Sequence, residues 1–142
     1  EVYNEVSNQK VIVRQLPEAG GASNLPEVDD PAIGAANAFM KAFEMAEKRY
    51  QTKDALEGMR AAQNHLNNIG FYHYEDQEYA QAHENFKKTL ELHKILKKEG
   101  EESSLDNEED YNQQLFTTGL TALSAGMMEK AEPYFKELYD ME

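Results

Sequence analysis

Two stretches, "YAQAHENFKKTLEL" (Tyr79–Leu92) and "MEKAEPYFKELYDM" (Met128–Met141), decide how this chain is read. Laid over each other, they match Ala82 with Ala131, Phe86 with Phe135 and Lys87 with Lys136. Large apolar residues also coincide at both ends. Residues four apart lie on one face of a helix, so the chain writes the same helical face twice. A third, weaker copy lies upstream. Ala35-Ala36-Asn37-Ala38-Phe39, followed by Ala42, has the skeleton of Ala82–Phe86 with Thr89 and of Ala131–Phe135 with Leu138. The copies are spaced 47 and 49 residues apart. A near-fixed period marks a stacked repeat, in which no unit buries its apolar stripe alone.

The rest of the chain reads as helix around these copies. In Glu1–Gln15 the first half suits a helix and "VIV" suits a strand; we read the stretch as helix. "LPEAGGASNLPEVDDP" is a loop, and it closes with Asp30 placed to cap a helix whose first position is Pro31. Helical spacing then runs from Ala32 to about Tyr50 (Ala35, Phe39, Ala42, Phe43, Ala46) and from Asp54 to about Tyr74 (Leu56, Met59, Leu66, Ile69, Phe71). "EDQE" breaks the pattern before the helix Tyr79–Lys98. "EGEESSLDNEED" holds seven acids in twelve residues; it reads as a solvated loop ending in a capping box from Asp106 to Glu109. Two last helices, Glu109–Ser124 and Met128–Glu142, flank "AGMM". If the second begins near Lys130, Pro133 sits in its first turn, where its missing N–H is no loss. The fold class is all-α. One domain, 1–142, divides into an irregular first unit 1–50, a repeat 54–98, an acidic loop 99–110 and a repeat 111–142. We expect it to be a piece of a longer protein.

The bulk numbers bound the function. At 142 residues, 40% hydrophobic and 29% charged, the chain is globular rather than disordered. Its formal charge of −13 opposes binding to nucleic acid, which needs lysine and arginine in surplus, and to anionic membrane surfaces. It favours solubility and basic partners. The absence of cysteine removes disulfides, thiolate metal sites and cysteine nucleophiles. No run approaches 18 apolar residues, so direct membrane insertion is not expected.

The chemistry-bearing residues do not assemble into a known constellation. His65, His73, His83 and His93 show neither the i, i+4 spacing of a helical metal site nor an HExxH motif. Asp106, Glu108 and Asp110 alternate as in a calcium loop, but the sixth place is Tyr111 and the twelfth Thr117, where such a loop needs glycine and glutamate. Ser103 and Ser104 have no histidine nearby in sequence. "AGGAS" lacks the Lys-Ser/Thr ending of a phosphate cradle. Lysines 87, 88, 94, 97 and 98 fall at helical spacing from Glu84 and Glu91 and read as a solvated face. We expect no metal, no cofactor and no enzymatic activity.

The repeated skeleton resembles the tetratricopeptide repeat, in a divergent bacterial form with enlarged spacing. That motif sets a small residue where the first helix packs closest, a second small residue twelve later, and an aromatic four beyond. Here these are Gly70, Ala82 and Phe86, then Gly119, Ala131 and Phe135. Leu66 and Leu115 stand where the family usually has an aromatic, and the period exceeds the usual length. The resemblance implies antiparallel helix pairs stacked as a right-handed superhelix, an α-solenoid. It also implies a concave groove lined by first helices, here Asn64, Asn67, Phe71 and Tyr74, then Gln113, Phe116, Leu120 and Leu123. Asparagine amides grip an extended backbone there, and the apolar residues hold side chains. Phe71 and Asn67 replace the asparagine and lysine of the carboxylate-clamp variety, so capture of a chaperone C-terminus is not expected. The implied function is a non-catalytic scaffold for a protein or peptide partner; the alternative is a spacer or self-associating module within a larger solenoid. Loosely repeated, cysteine-free acidic modules of this kind resemble those of bacterial envelope proteins, which points to the periplasm or envelope.

Overall fold

A computed structural model describes residues 30–140 of the chain, and the reading of 1–15 as helix, most of the following loop and the last two residues lie outside them. Among the described residues there are five α-helices and no strand. They are α1 (Pro31–Met45), α2 (Arg49–Glu75), α3 (Tyr79–Lys98), α4 (Glu108–Ser124) and α5 (Met128–Asp140). The chain divides into two compact units, Glu1–Ala62 and Gln63–Glu142, with the boundary inside α2.

In the first unit, Asp30 caps α1 as the sequence indicates. Its carboxylate accepts from the Ala32 and Ile33 amides at 3.0 and 3.2 Å, with Pro31 at the first helical position. The helix ends at Met45 rather than near Tyr50, and α2 starts at Arg49 rather than Asp54. The reason is Gln51, whose side-chain oxygen folds back to accept from the Glu47 and Lys48 amides, both at 3.0 Å. That reach back from the third helical residue begins a helix where apolar spacing alone shows none. Ala35 and Ala36 of α1 and Ala55, Leu56 and Met59 of α2 are buried. Phe39 lies on Gly58: a Cβ there would meet the ring at 2.3 Å. In this pair the ring comes from the earlier helix and the glycine from the later one, the reverse of the order expected for the upstream copy.

In the second unit the order is as expected. A Cβ on Gly70 of α2 would stand 2.5 Å from the Phe86 ring of α3, and one on Gly119 of α4 would stand 2.9 Å from the Phe135 ring of α5. Ala82 and Ala131 are buried beside these seats. Helix α4 packs on both α3 and α5. Leu90, Leu105 and Leu115 form a buried cluster with Tyr111, Tyr134 and Leu138 against it. Tight turns close the hairpins. Gln77 takes φ 63° between α2 and α3, and Gly126 takes φ 79° between α4 and α5. Glycine adopts that left-handed geometry without cost to a side chain.

Two local expectations are corrected. The cap of α4 is Asn107, not a box starting at Asp106. Its side-chain oxygen accepts from the Glu109 and Asp110 amides at 2.8 and 3.4 Å, while Asp106 turns to Lys97 at 2.7 Å. Helix α5 begins at Met128, so Pro133 is its sixth residue and lies inside the helix. The ladder loses the bond that residue 133 would have made to the Glu129 carbonyl.

Phe86 is fully buried and Phe135 only half-buried. Phe86→Ala is therefore expected to cost about 3–5 kcal/mol and Phe135→Ala distinctly less. Urea titration of both variants measures the difference, and equal costs would contradict the burial argument.

Candidate functional site

Asn64, Asn67, Phe71 and Tyr74 follow one another along one face of α2 at three- and four-residue steps, and Gln113, Phe116, Leu120 and Leu123 do the same on α4. All eight belong to the second unit. On α2, Asn64 and Phe71 are exposed while Asn67 and Tyr74 are half-buried; on α4, only Leu120 is half-buried. Phe71, Phe116 and Leu123 keep 40, 49 and 43% of their surface.

These side chains are held in place from beneath. Phe71 meets Phe86 edge-on with centroids 5.0 Å apart, Phe116 meets Phe135 at 6.0 Å, and Tyr74 meets Tyr79 at 5.6 Å. The rings seated on Gly70 and Gly119 thus support the exposed rings of the neighbouring helix. Contacts of this kind restrict rotation before anything binds, which reduces the ordering cost of association. The Asn67 side-chain oxygen is buried and has no hydrogen-bond partner among the described residues.

Behind the stripes the packing is unusually polar. His83, Asn85 and Thr89 of α3 and Gln114, Thr118 and Thr121 of α4 are all buried. The three threonines donate to carbonyls of their own helices, at 3.0 Å to Asn85, 2.6 Å to Gln114 and 3.0 Å to Thr117. His83 Nδ1 lies 3.0 Å from the Thr118 carbonyl. A carbonyl only accepts, so Nδ1 carries the proton, and Nε2 of the neutral ring is left with a lone pair and no partner among the described residues. Both amide atoms of Asn85 likewise have no partner among the described residues. An unsatisfied buried amide costs about 1–3 kcal/mol. Asn85→Leu, close in volume, should therefore raise the melting temperature, and calorimetry showing a lower one would contradict the unpaired state.

The acidic loop is less free than its composition suggests. Gln63 Nε2 donates to the Thr89 carbonyl at 3.1 Å and to Ser103 Oγ at 3.0 Å; its oxygen accepts from the Ser104 amide at 2.9 Å. His93 Nδ1 lies 2.6 Å from Ser103 Oγ, which also accepts from the Leu105 amide at 3.1 Å. The sequence reading found no histidine near Ser103. The loop folds back along α3 and closes that ten-residue gap. Shared among Gln63, His93 and Leu105, the hydroxyl serves as a tie for the loop. Lys97 and the Ser103 amide, both bonded to Asp106, hold its carboxyl below its ordinary value.

Burial holds the His83 imidazole below its ordinary value of 6.5, and burial does the same for His93 against the opposing pull of Asp106. Both rings therefore take up protons more readily in the unfolded chain. Their contribution to stability is complete above about pH 6.5 and is lost as pH falls through the depressed folded-state values. The urea midpoint should drop between about pH 7.5 and about pH 5.5, and His83→Gln should shrink that drop. An unchanged pH dependence in His83→Gln would overturn the assignment.

A cleft of about 460 Å³ lies between α3 and α5, with Lys87 and Lys94 on one wall and Glu129, Lys130 and Glu137 on the other. The lysines of α3 were expected to pair along their own helix. Among the described residues only Lys88 does so, with Glu91 at 3.2 Å. Glu137 accepts from the Tyr111 hydroxyl, and burial together with that carboxylate holds the phenol above its ordinary value. Three lysines and two glutamates share the cleft, so the opposite charges largely offset one another and its pull on an anion is weak. Sequence reasoning missed this cleft and the Gln63–Ser103 tie because both join residues far apart in the chain. The glycine spacing was the signal that located the stripes. Among the described residues no group of three or more histidine, aspartate or glutamate side chains is placed to hold a metal ion, and no helix is long and apolar enough to cross a membrane. Comparison with family models, curated proteins and solved structures gave no match to this chain.

Proposed function

We propose that this chain is a tetratricopeptide-like module, with helix pairs stacked as a right-handed superhelix, that holds a protein or peptide segment along the stripes of α2 and α4. It acts by holding its partner and performs no reaction on it. The reading is supported by the recurrence of one device. Gly70 with Phe86 and Gly119 with Phe135 are each sixteen residues apart and each join neighbouring helices by a ring on a bare backbone.

The observation that carries the reading is the exposure of Phe71, Phe116 and Leu123 at the very positions that the resemblance assigns to the groove. Single exposed apolar residues are ordinary, whereas a run of them along one helix face marks an interaction surface. Asn64 and Gln113 stand in the same stripes and offer amide donors and acceptors to an extended main chain. Large side chains at the centre of a protein interface commonly account for most of its affinity.

Phe71→Ala and Leu120→Asp should each weaken a partner recovered with the native chain by about thirtyfold or more. The far-UV circular dichroism should be unchanged, and Lys87→Ala, in the α3–α5 cleft, should bind normally. Titration calorimetry with the partner decides it; undiminished binding by both groove variants would exclude the groove.

A further inference from the structure

The chemistry of the partner follows from the charges along α4. Between Glu99 and Met127 there are seven carboxylates and not one lysine, arginine or histidine. Three of them, Glu108, Glu109 and Asp110, are exposed together in the first turn of α4. Asp106 is already engaged by Lys97, and among the described residues no cation pairs with those three. Glu109 continues the α4 stripe one turn before Gln113, so the stripe reads Glu109, Gln113, Phe116, Leu120, Leu123. It is acidic at one end, amide in the middle and apolar at the other.

Resting on the groove reading above, we propose that the occupant is an extended, basic and apolar peptide segment. Its large apolar side chains lie against Phe116, Leu120 and Leu123, and its lysine or arginine side chains reach Glu108, Glu109 and Asp110. From Glu109 to Leu123 the helix rises about 21 Å, which an extended chain spans in about six residues. The basic anchor of the partner therefore stands about three residues from the side chain on Phe116 and about six from the one on Leu123, with main-chain amides opposite Gln113. An acidic segment is rejected at the same end by like charge, and an uncharged one forgoes the attraction that speeds encounter.

Selection from a random twelve-residue peptide library on the immobilised chain tests this. Selected peptides should be enriched in lysine and arginine about three to six positions from aromatic or aliphatic residues. The best of them should bind about tenfold or more weakly to the triple variant Glu108→Gln, Glu109→Gln, Asp110→Asn. Affinity for the unaltered chain should fall as salt rises, and the triple variant should show a flatter salt dependence. Circular dichroism checks that α4 survives the loss of acids from its first turn. Selected peptides that are acidic or uncharged, or that bind the triple variant as well as the parent, would overturn the proposed chemistry. The groove would then stand provided that Phe116→Asp abolishes their binding. Peptides indifferent to Phe116→Asp, or a selection that enriches nothing, would overturn the groove itself.

Discussion

The structure depends on aromatic rings resting where a β-carbon is missing. At Gly58, Gly70 and Gly119 the ring of a neighbouring helix occupies the volume that any other residue would fill. The close approach sets both the spacing of each helix pair and the rotation of each helix about its axis, because each notch opens on one face of its helix. Rotating α2 or α4 by a residue would lift the ring onto a side chain, so the same contact determines which residues point outward. In the second unit it turns Phe71 and Phe116 toward solvent while burying Gly70 and Gly119. Packing and the outward display of Phe71 and Phe116 are thus two sides of one geometric constraint.

The polar interior between α3 and α4 has a different character. Leucine and phenylalanine drive association without strongly preferring one register. Buried His83, Asn85, Gln114 and the threonines favour an arrangement in which the fewest partners are lost. Several atoms have no partner among the described residues, so this interface sacrifices stability relative to an apolar one. The apolar cluster of Leu90, Leu105 and Leu115 offsets that cost at the other end of the same helices.

Much of this was legible in the sequence. Helices α3 and α4 fall within one residue of the expected bounds, because apolar spacing, Gly126 and the "EDQE" break are all local signals. What escaped was carried by side chains acting at a distance or in place of the usual residue. Gln51, third residue of α2, reaches back to the amides that precede the helix, with a lysine rather than a serine or threonine at the cap position, and Asn107 displaces Asp106 because the latter is drawn to Lys97. The reversed Phe39–Gly58 pair was hidden because in the repeated skeleton each glycine precedes its ring. The residues of the candidate stripes came from counting outward from Gly70 and Gly119, but their exposure depends on neighbours that counting cannot supply. The tie between Gln63 and Ser103 spans forty residues and leaves no periodic trace.

That tie divides the α3–α4 connection into two segments of unequal character. Residues 99 to 102 precede the anchoring hydroxyl and include Gly100 at φ 73° with open space around its α-carbon. Residues 103 to 107 are stitched to Gln63, His93 and Lys97 and carry buried Leu105 and the helix cap. Lengthening the chain, by a graft, a tag or an evolutionary insertion, is therefore compatible with the fold on the near side of Ser103 and ruinous on the far side. An inserted segment belongs after Glu101, because Gly100 itself, at φ 73°, tolerates no side chain without strain.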